Sequence, residues 1–127
     1  MKTILVDAVD TIVSGTGVVF KDVHDLVEGF PNKKIILTNA DDAQFIEFGL
    51  DKMPYEVFTL KHSPDKIDPV YFQKMLEHFS LTADSVVYFE HNQKAVESAS
   101  SCGIPSYYFD PEKRDIDELK KFLTENL

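Results

Sequence analysis

Asp7 is the residue whose type and position point most directly to chemistry in this 127-residue chain. It ends the apolar run Ile4-Leu5-Val6. A carboxylate at the end of a buried strand can attack an electrophile, hold a cation, or serve only as a cap or solvated side chain. Two residues later the chain has Val9 instead of a second acid. A site built on Asp7 therefore lacks the neighbouring carboxyl group of a general acid–base pair, which contributes about 10²–10⁴-fold in rate.

Further polar side chains stand where later apolar segments end. They are Thr38 and Asn39, then Lys61 and His62, then Glu90, His91 and Asn92, then Asp110, with Lys66 just before a predicted helix. The carboxyl ends of parallel strands share one edge of a sheet, and ligands bind outside that edge. We expect these side chains to gather there around Asp7.

The elements that must position these residues alternate between short apolar strands and helices with one apolar face. Strands are predicted over 2–6, 34–37, 55–59, 85–89 and 105–109. Helices are predicted from about 19, after Asp41, from Asp68-Pro69, from about Gln93 and from Ile116. Segment 11–18 contains Ser14-Gly15-Thr16-Gly17 and is expected to form a short hairpin or a loop over the site.

Apolar strands that alternate with helices are typical of a parallel sheet covered on both faces. The sequence thus predicts one domain over 1–127 with an α/β fold: a three-layer, doubly wound, Rossmann-like sheet of about five mainly parallel strands. One helix and one strand fill each interval from Thr11 to Thr38 and from Thr38 to Lys66. No cap domain fits there, so the site is expected to be open.

The order of these motifs resembles the haloacid dehalogenase-like (HAD) hydrolase superfamily. Asp7-Ala8-Val9-Asp10-Thr11 is similar to the family's Asp-x-Asp-Gly-Thr, and Leu37-Thr38-Asn39 to its strand that ends in Ser or Thr. Lys66-Ile67-Asp68-Pro69 is similar to its Lys-Pro-Asp-Pro, and Phe89-Glu90-His91-Asn92 to its strand that ends in acids. The resemblance covers about residues 3–110.

The resemblance implies a phosphatase-like site. It assigns Asp7 as the nucleophile that forms an aspartyl-phosphate, and Thr38 and Lys66 as the residues that bind the phosphoryl group. Asn39 and His62 are further candidates for contact with the substrate. The implied substrate is a phosphorylated small molecule or macromolecule.

The resemblance also implies a Mg²⁺ ion. The family holds it with the first Asp, the carbonyl two residues on and an acid of the fourth motif, which here are Asp7, Val9 and Glu90 or His91. The pair Glu90-His91 replaces the usual acids. Mg²⁺ prefers oxygen ligands in octahedral geometry, whereas an imidazole suits Zn²⁺ or another transition metal.

Val9 stands where the family has the acid that protonates the leaving group. Asp10 is one position late, and adjacent side chains of a strand point to opposite faces, so we do not expect it to substitute. Alkyl phosphates are therefore expected to turn over poorly. Acyl and aryl phosphates have better leaving groups and need the acid less.

Three functions stay open from the sequence. The first is a weak or degenerate phosphatase, and the second is a non-catalytic HAD-like protein that binds a phosphorylated ligand or a protein through its open face. The third is a metal-independent dehalogenase-like hydrolase, since the family's dehalogenases have Asp-Ala-Tyr-Gly-Thr and Ser-Ser-Asn where this chain has Asp7-Ala8-Val9 and Glu90-His91-Asn92. Those enzymes need a cap to enclose the haloacid, which weighs against the third function.

Composition narrows the classes of partner. The chain has 22 acidic and 13 basic residues and a net charge of −9, which disfavours binding to nucleic acids. No apolar run approaches the roughly 18 residues of a membrane helix, and Met1-Lys2-Thr3 leads into a strand without a signal-peptide pattern. Cys102 is the only cysteine, cannot form an internal disulfide and is expected in the core. We expect a cytoplasmic protein without a membrane partner, and the oligomeric state is left open.

Overall fold

The computed structural model describes residues 1–127 and alternates strands with helices along the chain. The strands are β1 (Thr3–Asp7), β2 (Lys34–Thr38), β3 (Glu56–Thr59), β4 (Val86–Glu90) and β5 (Ser106–Tyr108). The helices are α1 (Lys21–Glu28), α2 (Asp42–Glu47), α3 (Pro69–Phe79), α4 (Gln93–Ser101) and α5 (Ile116–Asn126). Each predicted strand is present with its ends shifted by no more than one residue. None of the helices combines the length and the hydropathy needed to cross a membrane.

The five strands form one parallel sheet in the order β3-β2-β1-β4-β5. In the central strand β1, Leu5 pairs with Ile35 of β2 on one side and with Tyr88 of β4 on the other. The direction of winding reverses between β3 and β4, which places the topological switch point at β1 and β4. Ligands of doubly wound sheets bind at such a point, and here Asp7 and Glu90 end the two strands.

Helices cover both faces of the sheet. Successive side chains of β1 point to opposite faces, so Ile4 and Val6 enter one hydrophobic cluster and Leu5 enters the other. The first cluster also contains Val23 and Val27 of α1 and Leu119 and Leu123 of α5, and the second contains Tyr71, Phe72 and Met75 of α3 and Ala99 of α4. The predicted three-layer, doubly wound fold is confirmed, and no cap domain is present.

Residues 11–18 belong to a short hairpin. Val13 pairs antiparallel with Val19, and the amide of Ser14 donates to the carbonyl of Val18 at 2.8 Å. Gly17 has a φ of +85°, and a Cβ atom there would lie 3.2 Å from the carbonyl oxygen of Glu47 at the end of α2. Glycine is therefore required for the hairpin to pack on α2.

Cys102 is only partly buried. It caps the C-terminus of α4, packs at the margin of the second cluster, and its thiol donates to the carbonyl of Pro69 at 3.5 Å. Cys102 therefore lies at the edge of the core and not inside it, because α4 and its apolar face end at Ser101.

Candidate functional site

A cavity of about 230 Å³ opens at the carboxyl edge of the sheet. Every residue that the motifs proposed for the site lines it, namely Asp7, Val9, Thr38, Asn39, His62, Lys66, Glu90 and His91. Gln44, Phe48, Asp65 and Ala95 line it as well and were not identified from the sequence as site residues. The strand ends therefore bring together residues that are up to 84 positions apart in the chain.

Asp7 is the most heavily hydrogen-bonded carboxylate of the site and is 2% exposed. One oxygen accepts from Lys66 Nζ at 2.6 Å, and the other accepts from Thr11 Oγ1 at 2.7 Å and from His91 Nδ1 at 2.5 Å. Burial alone would raise the pKa of Asp7, but the charge of Lys66 and the hydrogen bond from His91 outweigh it and hold the pKa well below its usual range. Asp7 is thus an ionised, rigidly held carboxylate.

Lys66 lies just before α3 and is 6% exposed. Its ammonium group is 2.6 Å from Asp7 and 2.7 Å from Glu90, and it donates to the carbonyl of Leu37 at 3.1 Å. Burial would lower the pKa of Lys66, but the two carboxylates raise it above the ordinary value. The backbone amide of Lys66 donates to Asn39 Oδ1 at 2.8 Å, which ties its loop to the end of β2.

Glu90 ends β4 and is fully buried. It accepts hydrogen bonds from the Tyr88 hydroxyl and, at 3.1 Å, from the amide of Asn92. Burial and the charge of Asp7 raise the pKa of Glu90, while Lys66 opposes that rise. Tyr88 was not identified as a site residue from the sequence, although it lies two positions before Glu90 and so points to the same face of β4.

His91 lies between the carboxylates. Its Nδ1 is 2.5 Å from Asp7 and 3.1 Å from Glu90, and its Nε2 is 3.8 Å from the carboxylate of Asp10. Burial would lower the pKa of His91, but the hydrogen bonds to Asp7 and Glu90 raise it to about 10. With Lys66, the protonated ring balances the two buried negative charges.

Asp10 faces the outer nitrogen of His91 and does not line the cavity. Its φ of +68° places it in the left-handed region, beyond the end of β1 at Asp7. Strand alternation therefore does not determine where its side chain points. Its carboxylate remains largely exposed.

Thr38 supplies a hydroxyl group at the inner wall of the cavity and is 4% exposed. Its oxygen accepts from the amide of Ala40 at 3.2 Å. The hydroxyl proton is not engaged with a protein acceptor, so it can be donated to an anion in the cavity.

The cluster offers ligands for a divalent cation. Asp7, Glu90 and His91 each present one ligand atom, and these atoms lie within 4.8 Å of one another. Val9, the fourth predicted ligand, lines the same cavity. Two carboxylates and one imidazole fit a divalent cation, and the nitrogen ligand favours a transition metal over Mg²⁺. Binding would displace the Nδ1 proton of His91, since a ligating imidazole is neutral.

Arg114 braces the segment that follows β1. Its guanidinium donates to the carbonyls of Asp10 at 2.9 Å and Thr11 at 3.0 Å, and it pairs with Asp22 at 3.0 Å. It also lies over the ring of Phe20, 4.3 Å from the centroid. This contact could not be predicted from the sequence, because Arg114 lies more than a hundred positions from Thr11 and outside every motif.

No protein-family model matches the chain, and no curated protein is detectably similar to it in sequence. Solved structures do match. A D,D-heptose 1,7-bisphosphate phosphatase from B. bronchiseptica, solved with magnesium and phosphate, superposes with a TM-score of 0.74 at 12% identity over 100% of both chains. A HAD-superfamily hydrolase of subfamily IA from Geobacter sulfurreducens superposes with a TM-score of 0.68 at 12% identity, over 94% of this chain and 99% of the other. The chain has the fold of HAD-superfamily phosphatases.

Proposed function

We propose that this chain, with the fold of HAD phosphatases, is a phosphohydrolase in which Asp7 attacks phosphorus and forms an aspartyl-phosphate. The observation that supports this most is the contact of the ionised Asp7 carboxylate with the buried Lys66 ammonium at 2.6 Å, at the wall of an open cavity. This arrangement suits attack on an anionic ester, because the carboxylate lies beside a fixed cation and the nearby Thr38 hydroxyl has a proton free to donate.

Each residue has a separate part in the proposed reaction. Lys66 offsets charge on the transferring phosphoryl group, and the free hydroxyl proton of Thr38 donates to one of its oxygens. Thr11 and His91 hold one oxygen of Asp7, and the other oxygen, which contacts Lys66, is the one proposed to attack phosphorus. Asn39 holds the loop of Lys66 in place and is also available to the substrate at the cavity wall.

A divalent cation is proposed at Asp7, Glu90 and His91, with the Val9 carbonyl as a further ligand. When bound, such an ion supplies charge neutralisation for the phosphoryl group. Mg²⁺ is the cation implied by the fold, and the His91 nitrogen should make Mn²⁺ or Zn²⁺ bind more tightly than Mg²⁺. Calorimetric titration with each ion measures these affinities and shows which cation binds most tightly.

The proposed substrate is a phosphorylated small molecule whose phosphate enters the cavity while the remainder stays outside. Without a cap, the site excludes water poorly and imposes little limit on the size of the leaving group. Val9 offers no proton, so acyl and aryl phosphates should react faster than alkyl phosphates.

The test is phosphate release from 4-nitrophenyl phosphate in the presence of Mg²⁺ or Mn²⁺. Asp7→Asn should lower the rate by about 10³-fold or more, since it removes the nucleophile. Asp10→Asn is the matched control, because it changes a nearby exposed aspartate outside the cavity. Equal rates for wild type and Asp7→Asn would contradict the proposal.

A non-catalytic binding protein is the second candidate, and one observation favours it. Both oxygens of Asp7 already accept hydrogen bonds, from Lys66 on one side and from Thr11 and His91 on the other. A carboxylate held in this way is a weaker nucleophile. This function predicts that a phosphate ester binds in calorimetry but yields no product over many hours.

A further inference from the structure

We infer that His62 supplies the proton to the leaving group that Val9 cannot supply. This inference rests on the proposed phosphohydrolase function. His62 lines the same cavity as Asp7 and Lys66 but contacts neither of them. It stands in the loop between β3 and α3, and about half of its side chain is exposed.

The ring of His62 is held at both nitrogens by residues of the cavity wall. Nε2 lies 2.8 Å from Gln44 Oε1, and Nδ1 lies 3.5 Å from the carboxylate of Asp65. The Asp65 carboxylate lies on the Nδ1 side of the ring, and Nε2 faces the cavity residue Gln44.

The capping box of α2 fixes which nitrogen of His62 donates. Gln44 Oε1 accepts from the amide of Asp41 at 3.0 Å, while Asp41 accepts from the amide of Gln44 at 2.9 Å. The atom opposite His62 must therefore be the amide oxygen, and Nε2 donates to it. Since the amide of Asp41 continues to donate to that oxygen, Nε2–H can turn to a substrate without leaving the oxygen unpaired.

The loop that presents His62 has an unusual backbone. Lys61 and His62 both have positive φ values, +54° and +66°, which non-glycine residues rarely adopt. Contacts to the neighbouring loop maintain them: Thr59 Oγ1 accepts from the amide of Lys61 at 3.0 Å and donates to the carbonyl of Ala40 at 2.7 Å. Strained residues held by their surroundings concentrate at functional sites, and this strain directs His62 into the cavity wall.

The geometry of phosphoryl transfer separates His62 from His91. The attacking and leaving oxygens lie roughly in line on opposite sides of phosphorus. His91 touches the Asp7 carboxylate itself and so lies on the side of the attacking oxygen. His62 lies beside Gln44 and Asp65 on the cavity wall and contacts neither oxygen of Asp7, so we assign it to the side of the leaving oxygen.

The proposed reaction takes one proton from His62 and later returns it. Asp7 forms a bond to phosphorus, the bond from phosphorus to the leaving oxygen breaks, and the proton of His62 Nε2 passes to that oxygen to release an alcohol. Water then attacks the aspartyl-phosphate and gives its proton to the neutral His62. Phosphate leaves, and Asp7 and protonated His62 are restored.

The test compares His62→Gln with wild type on two substrates that differ in their need for a proton. Glycerol phosphate has a poor leaving group, whereas 4-nitrophenyl phosphate has a good one. We expect kcat/KM to fall by about 10²-fold or more for glycerol phosphate and by less than tenfold for 4-nitrophenyl phosphate. His24→Gln is the matched control, because His24 also lies 3.5 Å from an aspartate, Asp25, but is outside the cavity.

Each outcome decides the inference. Equal losses on both substrates, or an unchanged rate on glycerol phosphate, would overturn it, as would a wild type that hydrolyses only the aryl ester. A structural role for His62 would lower both rates together with the melting temperature, and Gln preserves a donor to Gln44 so that the fold is maintained. Absence of hydrolysis of 4-nitrophenyl phosphate by wild type would instead refute the phosphohydrolase function on which the inference rests.

Discussion

Four buried or half-buried charges determine the chemistry at the residue scale. Asp7 and Glu90 are the anions, and Lys66 and protonated His91 are the cations that offset them at 2.5–3.1 Å. Isolated charges are costly to bury, but a paired and hydrogen-bonded set is tolerated. The same pairing stabilises the fold and prepares the site, so its pH dependence should appear in stability as well as in activity.

His91 should make stability depend on alkaline pH. Its pKa is raised from 6.5 to about 10 in the folded chain, so the stability that it contributes is complete below about pH 6.5 and is lost as pH rises through about 10. Urea unfolding with a chelator present should therefore show a falling free energy of unfolding between these pH values. His91→Gln should show a smaller fall, and an equal fall in both proteins would contradict the assigned charge.

Motif order identified some site residues and could not identify others. Asp7, Thr38 and Lys66 follow apolar segments or precede a helix in a recognisable sequence, so their convergence could be predicted. Thr11 belongs to the first motif, but its hydrogen bond to Asp7 could not be predicted, because it depends on how the segment after β1 folds. Gln44 lies outside every motif, and amide groups are common in loops and helices, so nothing in its spacing pointed to the contact with His62.

At the scale of elements, the segment after β1 is held from outside by the loop before α5. Arg114 binds the carbonyls of Asp10 and Thr11, and Thr11 in turn holds Asp7. A distant element thus positions the proposed nucleophile through two successive hydrogen bonds.

Removing this brace should loosen the segment that follows β1. Arg114→Ala is expected to lower the free energy of unfolding by about 1 kcal/mol, since it removes two hydrogen bonds and a partly exposed ion pair, which water screens. Hydrogen exchange should accelerate at residues 10–13. Lys113→Ala changes an exposed neighbour and serves as the control, and equal exchange in the two variants would contradict the bracing role.

The hairpin over residues 11–18 offers a second comparison between matched positions. Gly17→Ala places a Cβ atom 3.2 Å from the carbonyl oxygen of Glu47 at a φ of +85°, and it should destabilise the chain by about 1–2 kcal/mol. Gly15→Ala meets no atom within 4 Å and should change stability by less than about 0.5 kcal/mol. Thermal melts of both variants measure the difference, and a harmless Gly17→Ala would show that the hairpin does not need its contact with α2.

Strands could be predicted from the sequence where burial on both faces requires a continuous run of apolar residues. β1, β2 and β4 are apolar because both faces of each strand are covered, and their extents came out within one residue. The hairpin was predicted only as a turn-rich segment, since its pairing of Val13 with Val19 depends on docking against α2. Glycine content alone does not separate a hairpin from an open loop.

At the scale of the whole molecule, one sheet connects both hydrophobic clusters. Ile4 and Leu5 are neighbours in β1 yet belong to different clusters on opposite faces. Both clusters depend on the same strands, so the loss of either cluster should disrupt the other, and the chain should unfold as one unit.

Cooperative unfolding can be measured with probes on different layers. Urea transitions followed by far-UV circular dichroism and by tyrosine fluorescence, to which the buried Tyr71 and Tyr88 contribute, should have the same midpoint and slope. Phe89→Ala truncates a fully buried side chain of the other cluster and should lower the free energy of unfolding by about 3–5 kcal/mol. Both urea midpoints should therefore fall together. Two separate transitions would contradict a single cooperative domain.

The central claim is that Asp7 is a working nucleophile in an open, capless site. The most direct measurement is a crystal structure of the protein with a divalent cation and beryllium fluoride, which imitates a phosphoryl group bound to a carboxylate. We expect beryllium fluoride to be bonded to Asp7, with Thr38 and Lys66 in contact with its fluorine atoms. A structure with the cation bound and no beryllium fluoride on Asp7 would contradict the claim.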